Sequence, residues 1–137
     1  MNFEKLQFQL IEHEGMRLKP YLCTAGKTSV GIGRNLTDKG ISEKEALYLL
    51  HNDISECYDD LIPLFIDFKM MPDSIQRALL DMRFNLGHAG FRKFKKMITA
   101  VNNRNQENMI KEMLDSKWAW QVPERVESLI KIIKENF

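Results

Sequence analysis

Residues 16 to 33 read MRLKPYLCTAGKTSVGIG, two short extended runs on either side of the polar turn CTAGK. Gly26 sits in that turn, and Pro20 removes a backbone donor from the first run, which suits an edge strand. A chain with so little strand must find its core in helices, and the remainder carries helical periodicity. Upstream, NFEKLQFQLIEH places apolar residues at 3, 6, 10 and 11, one face of a helix, with Gly15 as a stop. Downstream, SEKE at 42 to 45 has the form of a capping box. It opens a helix through Ala46, Leu49, Leu50, Ile54 and Leu61 that Pro63 should end or kink. DSIQ at 73 to 76 should cap the next helix, with Ile75, Leu79, Leu80 and Met82 apolar and its end near NLG. GFRKFKKMITAV and NQENMIKEML read as two more helices, and Pro123 stands where the first turn of the last should begin. The expected class is α+β, mostly α, in one domain over 1–137. A small sheet-bearing lobe would take about residues 12–45, and a helical lobe about 46–137 plus the N-terminal helix 1–11, with any cleft between them.

Composition narrows the function. At 137 residues the chain can bury one hydrophobic core and is too short for two ordinary domains. Its 44% hydrophobic and 28% charged residues are those of a globular protein, not a disordered one. A formal net charge of +1 gives no bulk electrostatic case for nucleic acid or an anionic membrane. No apolar run approaches the roughly 20 residues of a membrane span, and the charged N-terminus lacks the core of a signal peptide. The expectation is a cytoplasmic chain, without nucleic-acid partner or stable membrane insertion, whose Cys23 and Cys57 are free thiols. A Cys23–Cys57 redox latch is the alternative. His13, His51 and His88 lack metal-ligand spacing, so neither metal nor cofactor is expected.

Three residues around the extended segment can carry chemistry. At about 100° per residue from Phe3, Glu14 falls about 20° away, inside the apolar stripe, whereas Glu12 faces the opposite side. A carboxylate that ends an apolar stripe is expected to be partly desolvated, which raises its pKa toward that of a general acid. The structural alternative is a helix-terminal glutamate paired with Arg17 or Arg125. Cys23, taken alone, is more often an inert buried residue than a nucleophile, but its place at the start of a Thr/Gly/Lys-bearing turn argues against burial, and Lys27 could stabilise its thiolate. Ser29 opens the second run and could orient a water or bond to backbone. GIG at 31 to 33 lacks the third glycine and following helix of a phosphate loop, and reads as a tight strand with close backbone approach.

Together these residues resemble a known pattern. EGMRLKPYLCTAGKTSVGIGRNLT is similar to the active-site segment of the phage-type lysozymes, glycoside hydrolase family 24. That family has a glutamate, eight residues, an aspartate or sometimes a cysteine, five residues and a threonine. Glu14, Cys23 and Ser29 fall at that spacing. Downstream, ALLDMRFNLGHAGF resembles the family's central helix and turn, and SKWAWQVPERV its cleft and C-terminal helix region, so the likeness covers nearly the whole chain. The departures are cysteine for the usual aspartate, serine for threonine, a short segment after the sheet, Arg34 for a histidine and Lys117 for an arginine. Serine loses the methyl that fixes a rotamer, and lysine loses the bidentate fork.

The resemblance implies a lysozyme-like, two-lobed fold and a peptidoglycan muramidase that cleaves β-1,4 bonds between N-acetylmuramic acid and N-acetylglucosamine. Glu14 would be the acid, Cys23 the base or nucleophile, and Ser29 the holder of the attacking water. Phe84, Asn85 and Lys117 would contact substrate, and Arg125 would pair with Glu14 across the cleft. Trp118 reads as core. The FRKFKK run at 91 to 96 reads as a solvated helix face, with contact to the anionic cell wall as its alternative use. The implied setting is a monomeric phage endolysin in the host cytoplasm, reaching the wall once a holin opens the membrane. One alternative is a lysozyme-fold wall-binding or regulatory protein that has lost catalysis. Another, a Cys23–His13 wall-peptide hydrolase, places His13 on the wrong side of its helix.

Overall fold

A computed structural model of the chain describes residues 1–135, so the last two residues of the domain expected over 1–137 lie outside the described residues. They form two compact units, Met1–Tyr48 and a second from Leu49 onward. The class is the expected mostly helical α+β, with one small antiparallel sheet and seven α-helices among the described residues.

The first unit begins with α1, Phe3–Glu14, capped by Asn2, whose side chain accepts from the Lys5 N–H at 2.9 Å. Gly15, at φ 76°, ends it with an N–H donated to the Ile11 carbonyl, as a residue without Cβ can. Strands β1 (Arg17–Leu22), β2 (Thr28–Gly31) and β3 (Arg34–Asn35) follow in sheet order 1-2-3. Pro20 therefore lies on an edge strand, in the stretch between Arg17 and Tyr21 where the β1–β2 register shifts. The expected capping box forms at the start of α2, Glu43–Leu61. The Glu45 N–H donates to Ser42 Oγ at 3.1 Å, and the Ser42 N–H donates to Glu45 Oε1 at 2.9 Å. The boundary between units falls within α2, and α1 belongs with the sheet, not with the helical part. Its residues bury nothing, and Glu14 at its end lies against Gly33 in the β2–β3 turn.

The second unit holds the core. Pro63 ends α2 in a 3₁₀ turn at Ile62–Leu64, as expected. Helix α3, Asp73–Arg92, carries the fully buried Leu79, Met82 and Phe91 and packs along α7, Pro123–Lys134, through Val126, Leu129 and Ile133. Edge-on aromatic contacts knit Phe65 to Phe91 and Phe94 to Trp118.

Three local expectations need correction. DSIQ does not cap α3: Pro72 precedes it, Asp73 is its first residue, and the Asp73 carboxylate holds Arg77 one turn on at 2.7 Å. GFRKFKKMITAV is not one helix. α3 kinks at Gly87 (φ 81°), runs on to Arg92, and the chain breaks at Phe94 before α4, Lys95–Asn102. Phe94 is turned out of the helical path where its ring meets Trp118 at 5.9 Å, so tertiary packing overrides propensity. Between α5 (Gln106–Leu114) and α7 lies an unexpected short helix, α6, Lys117–Gln121, capped by Ser116. Pro123 takes the first-turn position expected of it in α7.

Between α2 and α3 sits a charged cluster that the sequence reading did not find. Asp60 lies 2.6 Å from Arg83 Nε, 2.7 Å from His88 Nδ1 and 2.9 Å from Arg92. Burial opposes its ionisation, but hydrogen bonds from Arg92, Arg83 and His88 prevail and hold its carboxyl well below the usual range. Arg83 precedes the Gly87 kink of α3, and His88 and Arg92 follow it one helical turn apart.

Candidate functional site

Glu14, Cys23 and Ser29 all lie in the first unit. Cys23 directly follows β1, and the turn after it is closed by its own backbone. The Cys23 N–H donates to the Lys27 carbonyl at 2.8 Å and the Gly26 N–H to the Cys23 carbonyl at 2.9 Å, with Gly26 at φ 77°. Hydrogen bonds from the Lys27 and Ala25 backbone, with a further one from the Ser29 hydroxyl, lower the Cys23 pKa against a desolvation effect. Lys27 therefore acts through its main chain, while its ammonium group lies 3.4 Å from Asp38, not at the sulfur as expected. Cys23 is half-buried and its thiol free.

Ser29 is buried at 4% exposure, paired with Tyr21 on one side and Asn35 on the other in the middle strand. Strand pairing on both sides thus fixes the hydroxyl next to Cys23 without help from a β-branched side chain. Glu14 ends α1 and is exposed, so the desolvation expected from the apolar stripe is absent: α1 buries none of its residues. Gly33 lies against Glu14. At φ 64°, Gly33 presents its bare Cα to the carboxylate, and a Cβ there would stand 2.7 Å from Glu14 Oε2. The close approach anticipated for GIG is therefore real, and its target is the candidate acid. Arg34, the first residue of β3, binds Glu45 of the capping box at 2.8 Å.

The other candidates lie in the second unit. Phe84 is 45% exposed and, with Arg125, lines a largely apolar pocket of about 340 Å³ near Leu50, Ile54 and Cys57. Arg125 donates from Nε to Asp81 at 2.8 Å, so Asp81 is the carboxylate that holds it. Asn85 is exposed, and its Oδ1 accepts from the indole N–H of Trp118 at 2.7 Å. Trp118 is core, as expected, at 5% exposure. Lys117 is exposed and lines a groove of about 630 Å³ together with Trp118 and Ser116. Cys57 is free and buried, and burial pushes its thiol pKa up. No group of three or more His, Cys, Asp or Glu able to hold a metal occurs among the described residues, and no described helix is long and apolar enough to cross a membrane.

Sequence reasoning missed Gly33 as the neighbour of Glu14 and Asp81 as the partner of Arg125. GIG was a usable signal for the first. The second had none, because Asp81 and Arg125 are 44 residues apart.

Peptidoglycan hydrolase gp36 of Pseudomonas phage phiKMV is 25% identical over 135 residues, covering 94% of this chain and 15% of that protein. The pre-baseplate central spike protein Gp5 of Enterobacteria phage T4 is 28% identical over 148 residues, covering 88% of this chain and 26% of that protein. The chain thus spans well under half the length of either relative. The phage lysozyme model matches residues 11–132, a stretch that takes in every candidate from Glu14 to Arg125, and the chain belongs to the phage lysozyme family.

Proposed function

We propose that the chain is a peptidoglycan muramidase of glycoside hydrolase family 24, hydrolysing the β-1,4 bond between N-acetylmuramic acid and N-acetylglucosamine. The observation that carries this reading is the phage lysozyme match over residues 11–132, which takes in Glu14, Cys23 and Ser29; the lowered pKa of Cys23 supports it. The Cys23 thiolate, which that shift favours, has the charge that an oxocarbenium-like centre or an attacking water requires. Glu14 gives its proton to the leaving glucosamine oxygen as the bond to the muramic-acid anomeric carbon breaks. Water then adds to that carbon and passes its proton to Cys23, with Ser29 orienting it. If sulfur attacks the carbon directly, water displaces it in a second step and configuration is retained. Phe84, Asn85 and Lys117 are the substrate contacts in this reading, and Arg125 a supporting cation. The working setting is release of a monomeric endolysin from the host cytoplasm through a holin.

The exposure of Glu14 favours a second reading, a wall-binding protein of lysozyme fold without catalysis. One experiment separates them. Purified peptidoglycan is incubated with wild type and with Glu14→Gln, and the fragments are analysed by mass spectrometry. Muramic-acid reducing ends from wild type alone are the expected result. Wall binding by both proteins without cleavage by either would establish the second reading.

A further inference from the structure

Helices α4 and α5 enclose a groove of about 360 Å³ that contributes nothing to the proposed chemistry. Lys95, Lys96 and Lys111 line it, with the side-chain amides of Asn103 and Asn108 between them and one acid, Glu112. Among the described residues no ion pair engages these three lysines, and no hydrogen bond engages the Asn103 or Asn108 side chains. The walls are held in place. Arg104, in the left-handed region at φ 55°, turns the chain from α4 into α5, and its guanidinium donates to the Ile66 carbonyl at 2.7 Å and the Val101 carbonyl at 3.1 Å. The groove that holds Lys117 shares Lys95, Lys96 and Glu112 and adds Lys93 and one further acid, Asp115, so lysines continue along the molecule. In a chain of net charge +1, this is a concentration of unpaired cations in a concave, amide-bearing track.

We propose that this groove binds a linear polyanion of the bacterial wall, a chain of polyols joined by phosphodiesters. Ammonium groups spaced along a track neutralise successive phosphates, and the asparagine amides bond to phosphate and hydroxyl oxygens between them. The first groove has no aromatic lining on which nucleobases could stack, and no exposed apolar wedge to enter a bilayer. Its concavity fits a strand, not a flat vesicle surface. The choice of a wall polymer among polyanions rests on the proposed wall-cleaving function. Binding is measured without a cleavage step, so the two can fail separately.

The test is fluorescence anisotropy of labelled poly(glycerol phosphate) at about 50 mM salt, where phosphate contacts are strong. Wild type is compared with the Lys95→Gln/Lys96→Gln/Lys111→Gln triple variant and with Lys44→Gln/Lys131→Gln/Lys134→Gln, which removes equal charge elsewhere. Loss of three contacts should weaken binding about tenfold, and the control triple should change it no more than about twofold. Equal weakening in both triples, or no binding by wild type, would overturn the proposal. Tighter binding to anionic vesicles or a single-stranded oligonucleotide would replace the polymer with that ligand. Competition by inorganic phosphate as strong as by the polymer, per phosphate, would reduce the groove to a free-phosphate pocket.

Discussion

Cys23 and Cys57 show how one residue type takes opposite characters from its surroundings. The Lys27 and Ala25 backbone groups and the Ser29 hydroxyl shift Cys23 toward thiolate, and burial does the reverse to Cys57, outweighing the Arg83 guanidinium 3.6 Å from its sulfur. Iodoacetamide at pH 7 should label Cys23 at least about tenfold faster than Cys57, read by peptide mass spectrometry. Equal rates would remove the case for an activated sulfur. Ser29→Ala should move the midpoint of Cys23 labelling to higher pH, because one donor to the thiolate is lost. Gly33 offers a sharper test of how Glu14 is placed. Alanine at either Gly31 or Gly33 strains a left-handed residue by about 1 kcal/mol. Only at Gly33 does the new methyl meet Glu14, since nothing lies within 4 Å of a Cβ at Gly31. Gly33→Ala should therefore lower wall-cleaving activity by about tenfold or more while Gly31→Ala leaves most of it, at matched thermal stability. Equal losses would mean that backbone strain, not the carboxylate's position, sets activity. None of this was visible in spacing alone. The positions of Glu14, Cys23 and Ser29 could be read as a pattern, but what touches the sulfur depends on a turn's backbone, which side-chain identity does not encode.

Element boundaries followed local chemistry wherever it was strong. Asn2 and Gly15 delimit α1, the Ser42–Glu45 box starts α2, and Pro63 and Pro123 mark an end and a beginning. They failed where packing intervened, at Phe94 and at the α6 turn. The capping box also carries a pH dependence. Arg34, followed by the Ser42 N–H and hydroxyl, lowers the Glu45 pKa to about 2, below the ordinary carboxylate value. A group depressed on folding contributes stability above its unfolded pKa, and that contribution is lost as pH falls through the folded value. The advantage of wild type over Glu45→Gln in thermal melts should be full at pH 6 and shrink between about pH 4.5 and 2. An advantage unchanged at pH 2 would show that the box acts by geometry and not by charge.

At the scale of the whole molecule the two units are unlike in substance. Among the described residues, every buried apolar side chain belongs to the second unit, and Ser29 is the one buried residue of the first. Hydrogen exchange should therefore be slowest in α3 and α7 and at least about a hundredfold faster in α1, where no residue is buried. Comparable protection in both would contradict this partition of the core. The sequence by itself determined the class, most helix limits, the edge position of Pro20, and the motif that led to the family. Each of these rests on contacts a few residues apart, or on side-chain types that recur at set intervals. Only the tertiary structure decided that Asp60 gathers Arg83, His88 and Arg92, that Asp81 holds Arg125, that Gly33 abuts Glu14, and that α1 belongs with the sheet. Those pairings join residues from about 20 to 44 positions apart, and no local preference distinguishes one arginine or one carboxylate as a partner from the others.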